Sequence, residues 1–378
     1  MSAINRKEKI HFEIQSKKFN FVTQSEIVIK IMADKHQRLA TLDTFRGIAA
    51  LIVVLFHLTL HQSEAPFQLG WGATGVDLFF IISGFVIFLT LNKTNSTLDF
   101  IVARFSRLYP VYWTAVTLTA IFMSIGIFLG YSQLSWVEYL VNMTMFQHYF
   151  NIRDLDGSYW TLIVEMLFYG LMLLIFWLKQ IERLEWYGLG LVIIQVLIHS
   201  WVRITAPSAS VFIQELFPLI NHFQLFWAGI LFYKIYTQGY DKWRVLGIGI
   251  AYGVTLFLYD KSGRSSLFLD QIGYFITSTV YFTLFFLFVS RRLEWVNNRI
   301  TAFLGAISYS LYVIHHYFMV GVITILRDKF GWSFIWAGAI ALLSAFILAS
   351  FITYFIEKPA LQYLRIWYKS RKASYQTI

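Results

Sequence analysis

Leu42-Asp43-Thr44-Phe45-Arg46-Gly47 runs without interruption into Ile48-Ala49-Ala50-Leu51-Ile52-Val53-Val54-Leu55-Phe56-His57. The stretch reads as one apolar helix with an arginine at its mouth and a histidine deep inside. Hydrocarbon offers an ionisable side chain no water, so such residues within a span face the protein interior and mark a pathway or a site. At ~1.5 Å of rise per residue, His57 lies about 16 Å deeper than Arg46. A single helix histidine is also compatible with a hydrogen-bonded packing role, and the remainder of the chain bears on the choice.

Working outward, 57% of the 378 residues are hydrophobic, 19% aromatic and only 14% charged, and the mean hydropathy is +0.59. That is far too apolar for an ordinary soluble domain. Crossing ~30 Å of hydrocarbon takes roughly 20 helical residues. Runs of suitable length lie at 45–62, 73–92, 108–130, 159–178, 186–202, 216–236, 245–259, 271–289, 302–326 and 332–356. The expected fold is all-α, a polytopic membrane helix bundle of about ten spans, with 186–202 and 245–259 on the short side.

Charge sets the orientation, because loops rich in Lys and Arg stay cytoplasmic. With the N-terminus inside, 25 of the 31 Lys and Arg fall on the cytoplasmic side and both termini are cytoplasmic. The net charge of +10 then reflects topology and attraction to anionic membrane lipids, and no nucleic-acid partner is expected. Residues 1–40 form a polar, basic extension without a signal-peptide cleavage pattern. The membrane domain is expected over 41–360 and a basic tail over 361–378. The chain has no cysteine, which excludes disulfides, thiolate metal sites and an acyl-cysteine intermediate. Phosphate-loop, H-E-x-x-H and dinucleotide fingerprints are absent, so no nucleotide-driven transport engine is visible.

Four further constellations carry polar chemistry. Gly75-Val76-Asp77-Leu78-Phe79-Phe80-Ile81-Ile82-Ser83-Gly84-Phe85 opens a span with Asp77 one turn in, where a helix N-terminus alone favours an anion. Gly75, Ser83 and Gly84 suit close helix approach. Arg104-Phe105-Ser106-Arg107, just before Pro110, puts two guanidinium forks on one helical face, an arrangement suited to phosphate, and Pro110 is expected to break or restart the helix. Trp160-Thr161-Leu162-Ile163-Val164-Glu165 buries a carboxylate among apolar neighbours, where it needs a partner. In Ser308-Tyr309-Ser310-Leu311-Tyr312-Val313-Ile314-His315-His316, Ser308, Tyr312 and His315 share a face by the i, i+4, i+7 rule. Val320 stands where an H-H-x-x-x-D pattern would need aspartate. Counted by depth, His57, Asp77, Glu165 and His315 fall in the outer half of the membrane, whereas Arg46, Arg104, Arg107 and Glu357 lie at the inner face.

In these segments the chain resembles the acyltransferase-3 family of integral-membrane acyltransferases. The matching elements are the L-D-x-x-R-G opening with its later His at 42–57, G-V-D-x-F-F-x-x-S-G-F at 75–85, R-x-x-R at 104–107, W-T-L-x-x-E at 160–165, S-Y-S-x-Y-x-x-H at 308–315 and E-K-P at 357–359. The resemblance spans about 40 to 360 and implies a multi-pass protein of a bacterial cytoplasmic (inner) membrane. It would transfer an acyl group, commonly acetyl from acetyl-CoA as co-substrate, to a hydroxyl of an extracytoplasmic carbohydrate such as a surface polysaccharide or glycolipid. No metal is called for.

The expected roles follow residue by residue. His57 is the general base, poised near neutral pH toward the attacking alcohol, and Asp77 or Glu165 orients it or stabilises its imidazolium. Arg104 and Arg107, with Arg46, hold the phosphates of the acyl-CoA donor. Ser308, Tyr312 and His315 line the acyl pocket or stabilise an oxyanion, and Trp160 is a stacking surface for sugar, although interfacial aromatic belts also place Trp there. Direct transfer is preferred to an acyl-histidine relay because it needs no extra intermediate. A proton-coupled transporter of a sugar or lipid is the rival reading, since it also uses buried His, Asp and Glu. A catalytically silent scaffold is the third.

Overall fold

The computed structural model describes residues 40–376 apart from 61, 63, 125–133 and 262–263, with side chains described to Lys372. The expected extension over 1–40 therefore lies, Ala40 aside, outside the described residues. Among these residues every regular element is helical. In chain order they are α1 (Ala40–Thr59), α2 (Gly75–Leu91), α3 (Thr97–Ser124), α4 (Trp136–Asn142), α5 (Trp160–Trp177), α6 (Leu184–Leu197), α7 (Arg203–Thr205), α8 (Pro207–Leu216), α9 (Phe223–Gln238), α10 (Lys242–Phe257), α11 (Gln271–Val289), α12 (Arg299–Phe330), α13 (Phe334–Ile352) and α14 (Lys358–Gln376). A π-turn, Ile198–Val202, joins α6 to α7, and another, Thr353–Glu357, joins α13 to α14.

Seven helical stretches are long and apolar enough to cross a membrane: Ala40–Thr59, Gly70–Leu91, Trp160–Trp177, Ile181–Thr205, Gln271–Val289, Arg299–Phe330 and Phe334–Lys372. The runs expected at 108–130, 216–236 and 245–259 do carry helices, but these differ from free-standing spans. Helices α9 and α10 have 16 residues each, about 24 Å of rise. Helix α9 can be short because nearly all of its side chains are buried by neighbouring helices. Helix α3 is long but opens with Asp99, Arg104 and Arg107.

Pro110 does not break α3, contrary to the expectation from its lack of an N–H. A helix is the cheapest way to satisfy backbone groups in an apolar setting, and the proline removes only the one bond to the carbonyl of Ser106, four residues back. Tyr309 Oη donates to the Leu108 carbonyl at 3.1 Å, and Thr114 Oγ1 donates to the Pro110 carbonyl at 2.8 Å. Arg104 and Arg107 consequently stay on a continuous helix.

Two glycine crossings set the helices that matter here. A Cβ on Gly84 would lie 2.0 Å from the Phe226 carbonyl, and one on Gly229 would lie 2.1 Å from the Ile81 carbonyl, so α2 and α9 touch backbone to backbone. Gly47 and Gly305 do the same for α1 and α12, where added Cβ atoms would meet Gly305 N at 2.6 Å and the Asp43 carbonyl at 2.4 Å. Such close approach replaces the hydrophobic drive that lipid surroundings remove. From that crossing α1 and α12 run in the same direction, which brings Arg46 to Ser308 and, further along, His57 to His315. On its other side α12 packs against α13, whose Ala337, Ala341, Ala345 and Ala349 are fully buried at four-residue spacing.

Candidate active site

Two cavities adjoin along α12. The first, of about 460 Å³, is lined by Arg46 from α1, Ser83 from α2, Arg104 and Arg107 from α3, Thr161, Glu165 and Tyr169 from α5, Ser308 and Tyr312 from α12, Glu357 from the π-turn, and Lys358 and Arg365 from α14. The second, of about 370 Å³, is lined by His57, Asp77, Ser158, Trp160, His222, Arg264, Tyr274, Tyr312 and His316. Val76 and Tyr312 belong to both linings. We call them the arginine cavity and the imidazole cavity.

In the arginine cavity the three expected arginines are differently committed. Arg46 pairs with Asp43 at 3.0 Å and reaches Ser308 Oγ at 3.4 Å. Arg107 forms an ion pair with Glu357. The other Glu357 oxygen accepts from Ser310 Oγ at 3.1 Å, and Thr353 Oγ1 donates to Ser310 Oγ at 2.8 Å. The wider backbone of the π-turn places Thr353 and Glu357 for this network, a use of π geometry common at functional sites. Arg104 has no carboxylate partner among the described residues. Its Nη2 donates to Thr90 Oγ1 at 3.2 Å and its guanidinium lies 5.9 Å from the Phe100 and Tyr169 ring centres, while Nε is buried with no hydrogen-bond partner.

Glu165 sits in this cavity, where Oε1 accepts from Ser83 Oγ at 2.9 Å and from Tyr169 Oη at 2.5 Å. It therefore lies with the arginines, away from His57. Ser83 serves as this donor, while the close helix approach falls to Gly75, against α1, and Gly84, against α9.

In the imidazole cavity, Asp77 accepts from Tyr274 Oη at 3.0 Å. Neither Asp77 nor Glu165 hydrogen-bonds His57, so the expected carboxylate orienter of this ring is absent among the described residues. The partner of His57 is His315, with His57 Nδ1 and His315 Nε2 3.0 Å apart. His315 is wholly buried and its Nδ1 donates to the Tyr312 carbonyl at 2.7 Å. Trp160 lines the same cavity beneath the Arg264 guanidinium, 4.6 Å from its ring centre. Tyr312 stands between the cavities, its hydroxyl 2.8 Å from Thr161 Oγ1 and 3.4 Å from the Ser158 carbonyl.

A model of the acyltransferase domain matches residues 39–354. The chain belongs to the acyltransferase-3 family. The acyltransferase is 23% identical over 277 residues to the ORF330 product of Acidianus two-tailed virus, which carries an acetyltransferase name, covering 71% of this chain and 80% of that protein. It is 26% identical over 187 residues to nodulation protein 10 of Rhizobium leguminosarum bv. viciae, covering 42% of this chain and 49% of that one. Over 45 residues it is 47% identical to the exopolysaccharide production protein ExoZ of Rhizobium meliloti (strain 1021), covering 12% of this chain and 14% of that protein. No solved structure matches.

Sequence reasoning missed several residues of these cavities. Lys358 and Arg365 add positive charge to the arginine cavity, and Lys358 was readable from the E-K-P element that contains it. The His316 ring lies tilted against the His57 ring, their centres 4.2 Å apart, and its adjacency to His315 was the available signal. Arg264 and His222 come from loops and short turns that carry no spacing signal.

Proposed function

We propose that this acyltransferase is a membrane-embedded O-acyltransferase that moves an acyl group, acetyl in the simplest case, from cytoplasmic acyl-CoA to a hydroxyl of an extracytoplasmic carbohydrate, a surface polysaccharide or glycolipid. One observation carries the reading. A cavity rich in guanidinium groups adjoins a cavity holding His57, and the two share Val76 and Tyr312.

The arginine cavity suits the phosphates of an acyl-CoA. A buried guanidinium nitrogen without an acceptor, as at Arg104 Nε, is an exception that an incoming anionic oxygen would satisfy by a charge-assisted bond. Arg104 is thus the principal donor-binding side chain, with Arg46 and Arg107 supporting it, and Lys358 and Arg365 strengthening the field. Ser308 holds Arg46 in place.

At the other end His57 acts as general base. It takes the proton of the acceptor hydroxyl as the oxygen attacks the thioester carbonyl. The C–O bond forms, the C–S bond breaks, and the proton passes from His57 to the departing thiolate. Tyr312, the hydroxyl common to both linings, is the candidate donor to the developing oxyanion. Trp160 offers a ring face to the sugar. The printed names of the viral and exopolysaccharide relatives agree with an acetyl group and a carbohydrate acceptor.

The test is transfer by the purified protein in lipid nanodiscs, given radiolabelled acetyl-CoA and a membrane glycan fraction. Free CoA release and alkali-labile label on carbohydrate support the reading. Absence of both, with sugar flux driven by a proton gradient in proteoliposomes, would replace it with a transporter.

A further inference from the structure

The hydrogen-bond directions around the two paired histidines are dictated by neighbours that can only accept. The Tyr312 carbonyl, 2.7 Å from His315 Nδ1, has no proton to give, so Nδ1 carries the hydrogen and, in the neutral ring, Nε2 is a bare acceptor. His57 Nδ1 lies 3.0 Å from that acceptor and 3.0 Å from a second, the Val53 carbonyl. Both require a hydrogen on His57 Nδ1. A neutral His57 then presents Nε2 as an unshared lone pair, and no described residue bonds to it.

We infer that His315 is the positioning residue of the acyl-transfer site. It is a neutral, Nδ1-protonated imidazole that accepts from His57 Nδ1 and holds the ring so that the basic Nε2 serves the acceptor hydroxyl. The inference rests on the acyl-transfer reading and assigns His315 a part other than lining the acyl pocket. The place occupied by a carboxylate in a serine-type triad is filled here by a second imidazole. The nearby carboxylates are engaged elsewhere: Asp77 with Tyr274, Glu165 with Ser83 and Tyr169, and Asp156 with Ser158 and the Tyr317 backbone N–H. The charged and titratable groups facing the pair are His316, beside His315 on α12, and Asp156, from the loop before α5.

A neutral orienter supplies direction without negative charge. It also ends the proton path. The His315 Nδ1 hydrogen faces a backbone carbonyl that cannot accept a proton, so a proton taken up at His57 Nε2 has no onward carrier through this pair. It stays beside the reaction until the thiolate collects it, which suits group transfer and opposes proton-coupled transport.

Selective ¹⁵N-histidine NMR on the full chain in nanodiscs tests the geometry without any substitution. Both His57 and His315 are expected to show Nδ1–H and unprotonated Nε2, the tautomer that is the minor one in water. An Nε2–H tautomer at either ring overturns the inference. Kinetics test the consequence. His315→Leu is expected to lower kcat about 30-fold with KM for both substrates within about twofold, whereas His315→Gln, whose Oε1 can accept in place of Nε2, returns kcat to within about threefold of the parent. Acetyl-CoA affinity reports that each variant is folded. Parent-like kcat in His315→Leu, or a folded His315→Gln no better than the leucine variant, refutes the positioning role. If the parent chain transfers no acyl group, the functional reading fails, while the NMR tautomers still decide the imidazole geometry.

Discussion

The arginine cavity and the imidazole cavity are lined by the same helix, α12, yet they treat charge in opposite ways. In the first, cations meet carboxylates, with Arg107 on Glu357 and Arg46 on Asp43, and one guanidinium, Arg104, is left with a bare nitrogen. In the second, ring meets ring, and His57, His315 and His316 associate without an intervening carboxylate. The contrast fits two tasks. Holding a multiply charged handle calls for fixed positive charge, whereas accepting a proton near neutrality calls for groups that exchange one readily. Tyr312 and Val76 mark where one environment gives way to the other.

Substitutions can break this division. The largest effect is expected from His57→Ala, which removes the proposed base from one cavity only. It should lower kcat about 1,000-fold and leave acetyl-CoA affinity, measured by calorimetry, within about twofold of the parent. Loss of donor binding would show that the cavities do not act separately.

The two neighbouring arginines should then part company. Arg107→Ala leaves Glu357, only 2% exposed, as an unpaired buried charge, and should cost about 3 kcal/mol of stability. Thermal unfolding in detergent reads this, and adding Glu357→Gln should restore most of it. Arg104→Lys keeps the charge but loses the planar fork, so donor affinity should fall about tenfold with little change in thermal stability. Equal effects from both arginines would erase the distinction drawn between a paired and an unpaired cation.

The smallest effect lies outside both cavities, at the capping box of α4. Ser135 Oγ accepts from the Glu138 N–H at 3.1 Å while Glu138 Oε2 accepts from the Ser135 N–H at 2.9 Å. That backbone bond, with Arg153 adding to it, holds the Glu138 carboxyl below its ordinary range. A depressed carboxylate stabilises the fold above its unfolded value and loses that contribution as pH falls through the lowered folded one. Amide protection in α4, corrected for the intrinsic exchange rate at each pH, should therefore fall only in acid. Ser135→Ala should cost about 1 kcal/mol and leave transfer activity unchanged.

Much of this was legible in the sequence because hydropathy reports depth. The helices of α2, α5, α11 and α12 fall close to their expected limits, and the depth count separated the Arg46 and Arg104 end from the His57 end. Hydropathy does not report which way a side chain points around the helix axis. Glu165 was expected beside His57 from its depth, but its azimuth on α5 turns it toward Ser83, Tyr169 and the arginines. The shared face of Ser308, Tyr312 and His315 splits for a related reason. Seven residues along α12 carry the chain past Tyr312, so Ser308 lines one cavity while His315 lies behind the other, bonded to His57. Pro110 misled because in an apolar surrounding a break would strip partners from several backbone groups, whereas a continuous helix gives up only the bond to the Ser106 carbonyl. Glu357 was placed at the correct end, but the π-turn that aims it has no sequence signature.

The crossing of Gly47 over Gly305 has a mechanical corollary. Because α1 and α12 touch there through their main chains, the pair behaves as a calliper whose pivot lies beside Arg46 and whose tips carry His57 and His315. A bulky residue at the pivot would spread the tips and loosen the Arg46 to Ser308 contact in a single movement, so the proposed donor grip and base alignment would degrade together.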